Sequence, residues 1–338
     1  MDTSTRSDPG TGPTDDGDGP YTSTRVGAGH DSSSSGHGPG SSGHDPNAGR
    51  EGEASGSASV DAAAAADAAD AAAPVNVADP ATEMERSVSF VRETVSSAGA
   101  NGDVINMSGG LDSTVAAAIA VEALGSDRVY GLILPCNKIG AHHARDAEGL
   151  AEALGIDHDT VHLQPLLAQF GSVAPDRFGL HDEPTLVGNA IARLRMTLAY
   201  LAANATGRLV CGTTNRSERL LGYLTKHGDG AADLLPIGHL YKTEVRSLAE
   251  TLEVPGFVLE KPPTAGLLAG QRDADDLGAD YDAVDPALRL AIDEGVPPAE
   301  IASRLGLDRE VIDDLLERHR ATEHKRASPP MPDRRGSE

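Results

Sequence analysis

From Met1 to Pro80 the chain contains no leucine, isoleucine or phenylalanine, and its only valines there are Val26, Val60, Val75 and Val77. Such a segment cannot build a core. Ordering a backbone costs roughly 1–2 kcal/mol per residue, and burial of apolar side chains is what offsets it. The same stretch carries 13 acidic and 3 basic residues. Residues 1–80 are therefore expected to form a disordered, low-complexity acidic tail. The alanine run from Ala62 to Ala73 is included, because Asp67 and Asp70 interrupt it and it has no apolar face. Whatever the 338-residue chain folds into must come from the rest, expected as one domain over residues 81–333.

Charge and cysteine content exclude several function classes. The chain has 28 basic and 52 acidic residues, a formal charge of −24. That surface repels a phosphodiester backbone, so no nucleic-acid partner is expected. Cys136 and Cys211 are the only cysteines, too few for a disulfide framework. No run of about 18 apolar residues is present, so no membrane partner is expected. The N-terminus lacks a charged-then-apolar leader, which points to the cytoplasm. Abundant Asp and Ala with only five lysines suits a high-salt cytoplasm, where ions screen the repulsion.

After Pro80 the apolar residues become periodic. Val88, Val91 and Val95 predict a helix, Gly102–Met107 a buried strand, and Leu111, Val115 and Ile119 a second helix. Arg128–Leu134 reads as another strand, followed by a helix through Ala147, Leu150 and Leu154. Val187, Ile191, Leu194, Leu198 and Leu201 mark a strongly amphipathic helix, and Arg208–Cys211 a further strand. Alternating strands and helices imply an α/β fold with a doubly wound, Rossmann-like parallel sheet flanked by helices. In such sheets ligands bind beyond the C-terminal ends of the strands. His142, His143 and Cys136 lack the spacing of a metal site and are read as structural. The residues 301–316 have a helix-turn-helix rhythm, but Asp313, Asp314 and Glu317 make a poor surface for phosphates, so they are read as a packing element.

Between the first strand and the second helix stands Asn106-Met-Ser-Gly-Gly-Leu-Asp-Ser113. Two glycines let the backbone approach a ligand, and the following helix N-terminus offers unpaired N–H groups. Ser108 and Ser113 add hydroxyls, and Asp112 can hold a hard cation such as Mg²⁺. The pattern is a polyphosphate cradle that is neither a Walker A loop nor a dinucleotide fingerprint.

Ser108-Gly109-Gly110-Leu111-Asp112-Ser113 resembles the pyrophosphate loop of the N-type ATP pyrophosphatases, the adenine nucleotide α-hydrolase-like group. The segments Gly188–Met196, Gly212–Glu218, Gly222–Asp233, Lys242-Thr243, Lys261–Ala265, Gly270-Gln271 and His324–Arg326 follow in order. Together they are similar to ammonia-dependent NAD synthetase over roughly residues 83 to 333. The resemblance implies ATP-dependent amidation of deamido-NAD to NAD, the last step of NAD biosynthesis, with AMP and pyrophosphate released. It also implies a homodimer with the deamido-NAD site near the subunit interface, to which the Val187–Leu201 helix contributes.

Carried over position by position, the resemblance makes Asp112 and Glu218 ligands of Mg²⁺. Thr213, Lys242 and Thr264 join residues 108–113 as contacts to ATP, and Arg193, Lys226, Asp233, His324 and Lys325 contact deamido-NAD. Asp229, in a Gly-Asp-Gly turn, is the candidate for binding ammonium and taking its proton, and Lys242 the candidate for stabilising the departing phosphates. Arg195 lies about 200° around the helix from Arg193, so the two cannot face one ligand. The His324–Arg326 tail is expected to order only when substrate is bound. Two features depart from the family pattern. Asn106 stands where a small residue is usual, and the tail has no counterpart, being too short and too apolar-poor for a glutaminase domain. Ammonia is therefore the expected direct nitrogen donor. Rival readings fit less well: a tRNA-thiolating sibling would need a reactive cysteine pair and a basic surface, and a non-catalytic nucleotide sensor has no use for Glu218.

Overall fold

The computed structural model describes residues 79–136, 138–180, 182–264 and 271–332. The expected acidic tail, apart from Asp79 and Pro80, lies outside the described residues, as do Ala265 and Gly270 of the quoted motifs. The first helix, α1 (Pro80–Ser97), begins on a proline whose missing N–H costs nothing in a first turn.

After α1 come β1 (Asp103–Asn106), α2 (Leu111–Leu124), β2 (Val129–Ile133), α3 (Lys138–Leu154), β3 (Asp157–Thr160), α4 (Gln164–Val173), α5 (Pro184–Thr206) and β4 (Leu209–Cys211). Then follow α6 (Arg216–Leu221), α7 (Lys242–Thr251), α8 (Gly256–Leu259), α9 (Asp273–Leu277), α10 (Tyr281–Leu288), α11 (Pro298–Leu305), α12 (Arg309–Ala321) and α13 (Glu323–Arg326). The four strands pair in the order β3-β2-β1-β4, all parallel. Successive residues of a strand face opposite sides, and here both sides are buried. Ile105 and Ile133 pack with α1, α2, α3 and α7, whereas Val104, Leu132 and Val210 pack with α5. The doubly wound reading is thereby borne out. The chain adds strands outward from β1 through β2 to β3 and then crosses to place β4 on the other side of β1, so the crevice beyond the C-terminal ends of β1 and β4 is the switch point where such sheets bind ligands.

β3 is the strand that sequence periodicity does not reveal. Its sequence, Asp157-His158-Asp159-Thr160, is polar, and its residues alternate between exposed and half-buried at the sheet edge. Pairing with β2, from Tyr130↔Asp157 to Ile133↔Thr160, defines it instead. In α5 the buried face also differs from the apolar stripe. Gly188, Ala190, Ala192, Met196, Ala199 and Ala203 turn inward with Ile191, whereas Leu201 is 62% exposed. Small residues let this helix lie close to the sheet, and the leucines flank that contact.

A third apolar cluster gathers α6 and α10–α12 around Leu221, Val284, Leu288, Ile301, Ile312 and Leu315. The 301–316 segment serves there as packing, as its acidic second helix requires. α13 is ordered by hydrogen bonds from Lys325 Nζ to the carbonyls of Gly222 and Leu224, at 2.7 and 3.0 Å, and from Arg326 to those of Arg219 and Leu220. These carbonyls lie at and just beyond the end of α6, where a helix leaves acceptors unpaired. These bonds tie α13 to the end of α6. Among the described residues no helix is long and apolar enough to cross a membrane.

Candidate active site

The loop from Ser108 to Ser113 turns between β1 and α2 on its own hydrogen bonds. Ser108 Oγ and Ser113 Oγ lie 3.0 Å apart, and the amide of Gly110 donates to Ser108 Oγ at 3.3 Å. Gly109 sits at φ +74°, and a Cβ there would fall 2.6 Å from the carbonyl oxygen of His143. Gly110 caps α2 without a side-chain hydrogen bond, so the first-turn N–H groups remain open to an anion.

Three charged side chains converge beside this loop. Lys242, at the start of α7 and almost fully buried, pairs with Asp112 and lies 3.8 Å from Glu218 Oε1. Burial opposes the lysine's charge, but Asp112 and Glu218 outweigh it and hold its pKa above the ordinary value. Burial and the neighbouring Asp112 push the Glu218 carboxyl up, and Lys242 only partly relieves it. Asn215 fixes the pair. Its amide nitrogen Nδ2 donates to Asp112 Oδ1 at 3.0 Å, and its Oδ1 accepts from the Glu218 amide at 3.0 Å while its own amide donates to Glu218 Oε2 at 3.2 Å. This Asn-x-x-Glu capping box both starts α6 and joins the two carboxylates. Two hard oxygen donors within reach of one ammonium fit a cation such as Mg²⁺ that completes its shell with phosphate and water. Among the described residues no group of three or more His, Cys, Asp or Glu could hold a metal alone.

These residues border a cavity of 370 Å³. Leu132, Ile133, Leu134, Pro135 and Met196 line an apolar part suited to a base, and Ser108–Ser113, Thr213, Lys242 and Thr264 line a polar part. All the residues assigned to ATP by resemblance therefore border one space, with Glu218 and Asp229. Asp229 is exposed, and its Oδ1 accepts from the Thr225 amide at 2.9 Å. Protein packed around the carboxyl group pushes its pKa up although much of the residue's surface reaches solvent, and the Thr225 amide pulls it back. The turn that presents it contains His227 at φ +62°, a strained conformation for a residue with a side chain.

The residues assigned to deamido-NAD separate into two places. Arg193 Nε donates to the Lys226 carbonyl at 3.2 Å, and Lys226 Nζ donates to the His324 carbonyl at 2.5 Å. Lys325 belongs to the same patch, within electrostatic reach of Asp229 and Arg193. Asp233 is not brought into that patch by any hydrogen bond. Its Oδ2 accepts from the Val210 amide at 2.7 Å and its Oδ1 from Tyr200 at 3.3 Å, which extends the edge of β4.

Several cavity residues were not singled out by the sequence. Arg195 lines the cavity and donates from Nε to the Leu134 carbonyl at 3.2 Å, while Arg193 points away, as their helical angle requires. Lys261 binds the Gly109 carbonyl and Asp146 Oδ2, both at 2.7 Å. Asp273, 2% exposed, accepts from Tyr281 at 3.1 Å and leaves its Oδ1 without a partner in the cavity wall. His143, read as structural, also lines the cavity, and burial pushes its imidazole below the ordinary value. Asn106 lines it too, with its Oδ1 unpartnered.

The family model for NAD synthase matches residues 83–329. An NH(3)-dependent NAD(+) synthetase from Halobacterium salinarum is 44% identical over 257 residues, covering 76% of this chain and 95% of that protein. One from Hyperthermus butylicus is 44% identical over 248 residues, 72% of this chain and 87% of that protein. The structure of an NMN synthetase from Francisella tularensis superposes with a TM-score of 0.65 at 33% identity, over 75% of this chain and 99% of that one. An NH3-dependent NAD synthetase from Campylobacter jejuni gives 0.62 at 28% identity, over 76% and 100%.

Proposed function

The chain belongs to the NAD synthase family, and from that premise we propose that its reaction runs in the cavity beyond β1 and β4. The enzyme is an ammonia-dependent ligase that amidates deamido-NAD to NAD at the expense of ATP. What carries the assignment of the site is the convergence of Lys242, Asp112 and Glu218 beside an open helix N-terminus.

A carboxylate resists attack by ammonia because resonance spreads its charge and its oxygen is a poor leaving group. ATP binding on the 108–113 loop brings the α-phosphorus toward the nicotinate carboxylate. An oxygen of that carboxylate bonds to phosphorus, and the bond to the β-phosphate oxygen breaks to release pyrophosphate. Lys242 supplies positive charge to the departing phosphates, where charge develops in the transition state. Mg²⁺, held by Asp112 and Glu218, would add a second positive charge there. Asp229 at the cavity mouth binds ammonium and accepts a proton as the nitrogen lone pair attacks the acyl carbon. AMP then leaves, and the amide of NAD remains. Thr213 and Thr264 hold ATP, and Arg193, Lys226, His324 and Lys325 form the cationic patch that receives the dinucleotide. Three of these cations are partly engaged already. Arg193, Lys226 and Lys325 bind backbone carbonyls, so their help to substrate comes through net charge and small rotations. Asp233 contributes by holding β4 rather than by direct contact.

The protein works as a homodimer in the cytoplasm. In support, Leu186 and Leu201 of α5 are 41% and 62% exposed, and Phe170 of α4 is 44% exposed, an apolar face that a second copy would cover. Light scattering on wild-type and Leu201→Glu protein reads the mass, and a monomeric wild type removes the dimer from the account.

One assay tests the reaction. The chain is incubated in molar KCl with ATP, Mg²⁺ and deamido-NAD, with ammonium or glutamine in parallel. Equal yields of NAD, AMP and pyrophosphate with ammonium alone are expected. Because one structural relative carries the name NMN synthetase, nicotinate mononucleotide is run as a second acceptor. Preference for it, or pyrophosphate release without NAD, would overturn the assignment of deamido-NAD.

A further inference from the structure

A second cavity, of 210 Å³, lies behind Lys242. It shares Lys242, Arg246, Pro262 and Pro263 with the reaction cavity and adds Arg272, Tyr281, Asp280 and Asp282 among others. Arg246 follows Lys242 by four residues on α7, which puts the two cations on one face, one turn apart. Neither Arg246 nor Arg272 has a side-chain hydrogen bond or ion pair among the described residues. Other arginines here do pair, for example Arg216 with Asp293 and Arg289 with Glu294. Both arginines are exposed to solvent, so in a chain of net charge −24 they offer an anion entering this cavity two guanidiniums with no partner among the described residues.

On the synthetase reading, one multiply charged anion must leave this site in every turnover. We propose that the side cavity is a pyrophosphate subsite, in which Arg246 takes the anion from Lys242 and Arg272 receives it before release. Guanidinium groups bind phosphate oxygens through paired N–H donors, whereas Lys242 is a point charge already committed to two carboxylates. The lining also explains why the anion moves on. Asp280 and Asp282 stand in the same cavity at the start of α10, so the net attraction is modest and suits transit rather than storage.

The test compares wild type with Arg272→Gln, Arg272→Glu and Arg246→Gln, using inorganic pyrophosphate as the probe. Arg272 borders the side cavity alone, so its variants separate this subsite from the ATP site. The expected result is a rise of about tenfold in the pyrophosphate inhibition constant for each Gln variant, the worth of one charge-assisted contact, and a larger rise for Arg272→Glu. The KM for deamido-NAD should stay within about twofold, because that substrate enters elsewhere. An unchanged inhibition constant in both Arg272 variants overturns the proposal, and so does an equal rise in the deamido-NAD KM. Calorimetric binding of pyrophosphate to the same proteins should weaken by the same factor. That readout needs no NAD formation, so a failed amidation assay with weakened binding in Arg272→Gln would reject the synthetase reading and keep the anion subsite.

Discussion

Ser217 donates its hydroxyl proton to Asp285 Oδ1 at 2.6 Å, and the same hydroxyl oxygen accepts from the Lys242 amide at 2.9 Å. Asp285 Oδ2 in turn accepts from the amide and hydroxyl of Thr243 at 2.8 and 2.9 Å. One fully buried carboxylate thus ties together the starts of α6 and α7, which carry Glu218 and Lys242. Asp285→Asn keeps the shape but points an amide NH₂ at donors, leaving at least one buried N–H or O–H unpaired. A loss of about 2 kcal/mol in stability is expected, with kcat falling about tenfold as Glu218 and Lys242 lose their common reference. Urea unfolding with and without ATP, beside steady-state kinetics, checks it; unchanged kcat in the folded variant would show that the tie is structural only.

Lys242 supplies the cation that Asp112 and Glu218 share. Replacing it by methionine leaves two neighbouring carboxylates with no partner ammonium, a costly arrangement in a partly buried site. Lys242→Met should therefore melt well below wild type in chelator, and millimolar Mg²⁺ should raise its melting temperature more than that of wild type. NAD formation should fall by about 10²–10³-fold, the usual loss when one stabiliser of developing charge is removed. Equal responses of both proteins to Mg²⁺ would place the metal elsewhere.

Much of this was legible before any coordinates, for reasons that vary with the residue. Buried strands such as Val104-Ile105 are apolar on both faces and announce themselves, whereas the edge strand Asp157–Thr160 is fixed by partners and has no pattern of its own. The 108–113 loop is written in its residues because backbone conformation demands glycine there. Asp285, Asp273 and Arg246 were not legible. Each lies far along the chain from what it serves, and its importance resides in contacts that only the folded chain makes. Arg195 was a nearer miss: helix geometry stated that it and Arg193 face apart, but which one faces the cavity depends on how α5 packs against the sheet.

Gly109 and Gly110 are adjacent but not equivalent. At Gly109 the backbone is left-handed, and a methyl group would strike the His143 carbonyl at 2.6 Å. At Gly110 the nearest atom to a Cβ is Ser108 Oγ at 3.3 Å, a hydroxyl that can rotate. Gly109→Ala should cost on the order of 1–3 kcal/mol in stability and abolish detectable ATP binding by displacing the loop from α3. Gly110→Ala should fold normally and weaken ATP only a few-fold. Thermal unfolding and ATP calorimetry on the pair would decide it, and equal damage at both positions would contradict the loop geometry.

The opposite end of β1 carries a different strain. Asp103 is fully buried, and neither carboxylate oxygen has a hydrogen-bond partner. Burial pushes its pKa from 3.8 to about 7, Arg128 pulling it back and Asp233 adding to the rise. Between those values the folded chain holds a proton that the unfolded chain has released, so the free energy of unfolding falls as pH rises. The group's stabilising contribution is complete below the unfolded value and gone once pH passes the folded one. Three units would amount to about 4 kcal/mol as an upper bound, reduced by any water that reaches the carboxylate. Asp103→Asn removes the titration. The variant should gain stability over wild type at about pH 8, match it within about 1 kcal/mol at about pH 4, and show a flatter profile between. Urea unfolding at those two values is sufficient, and parallel profiles for the two proteins would mean that Asp103 is ionised and satisfied in the folded chain.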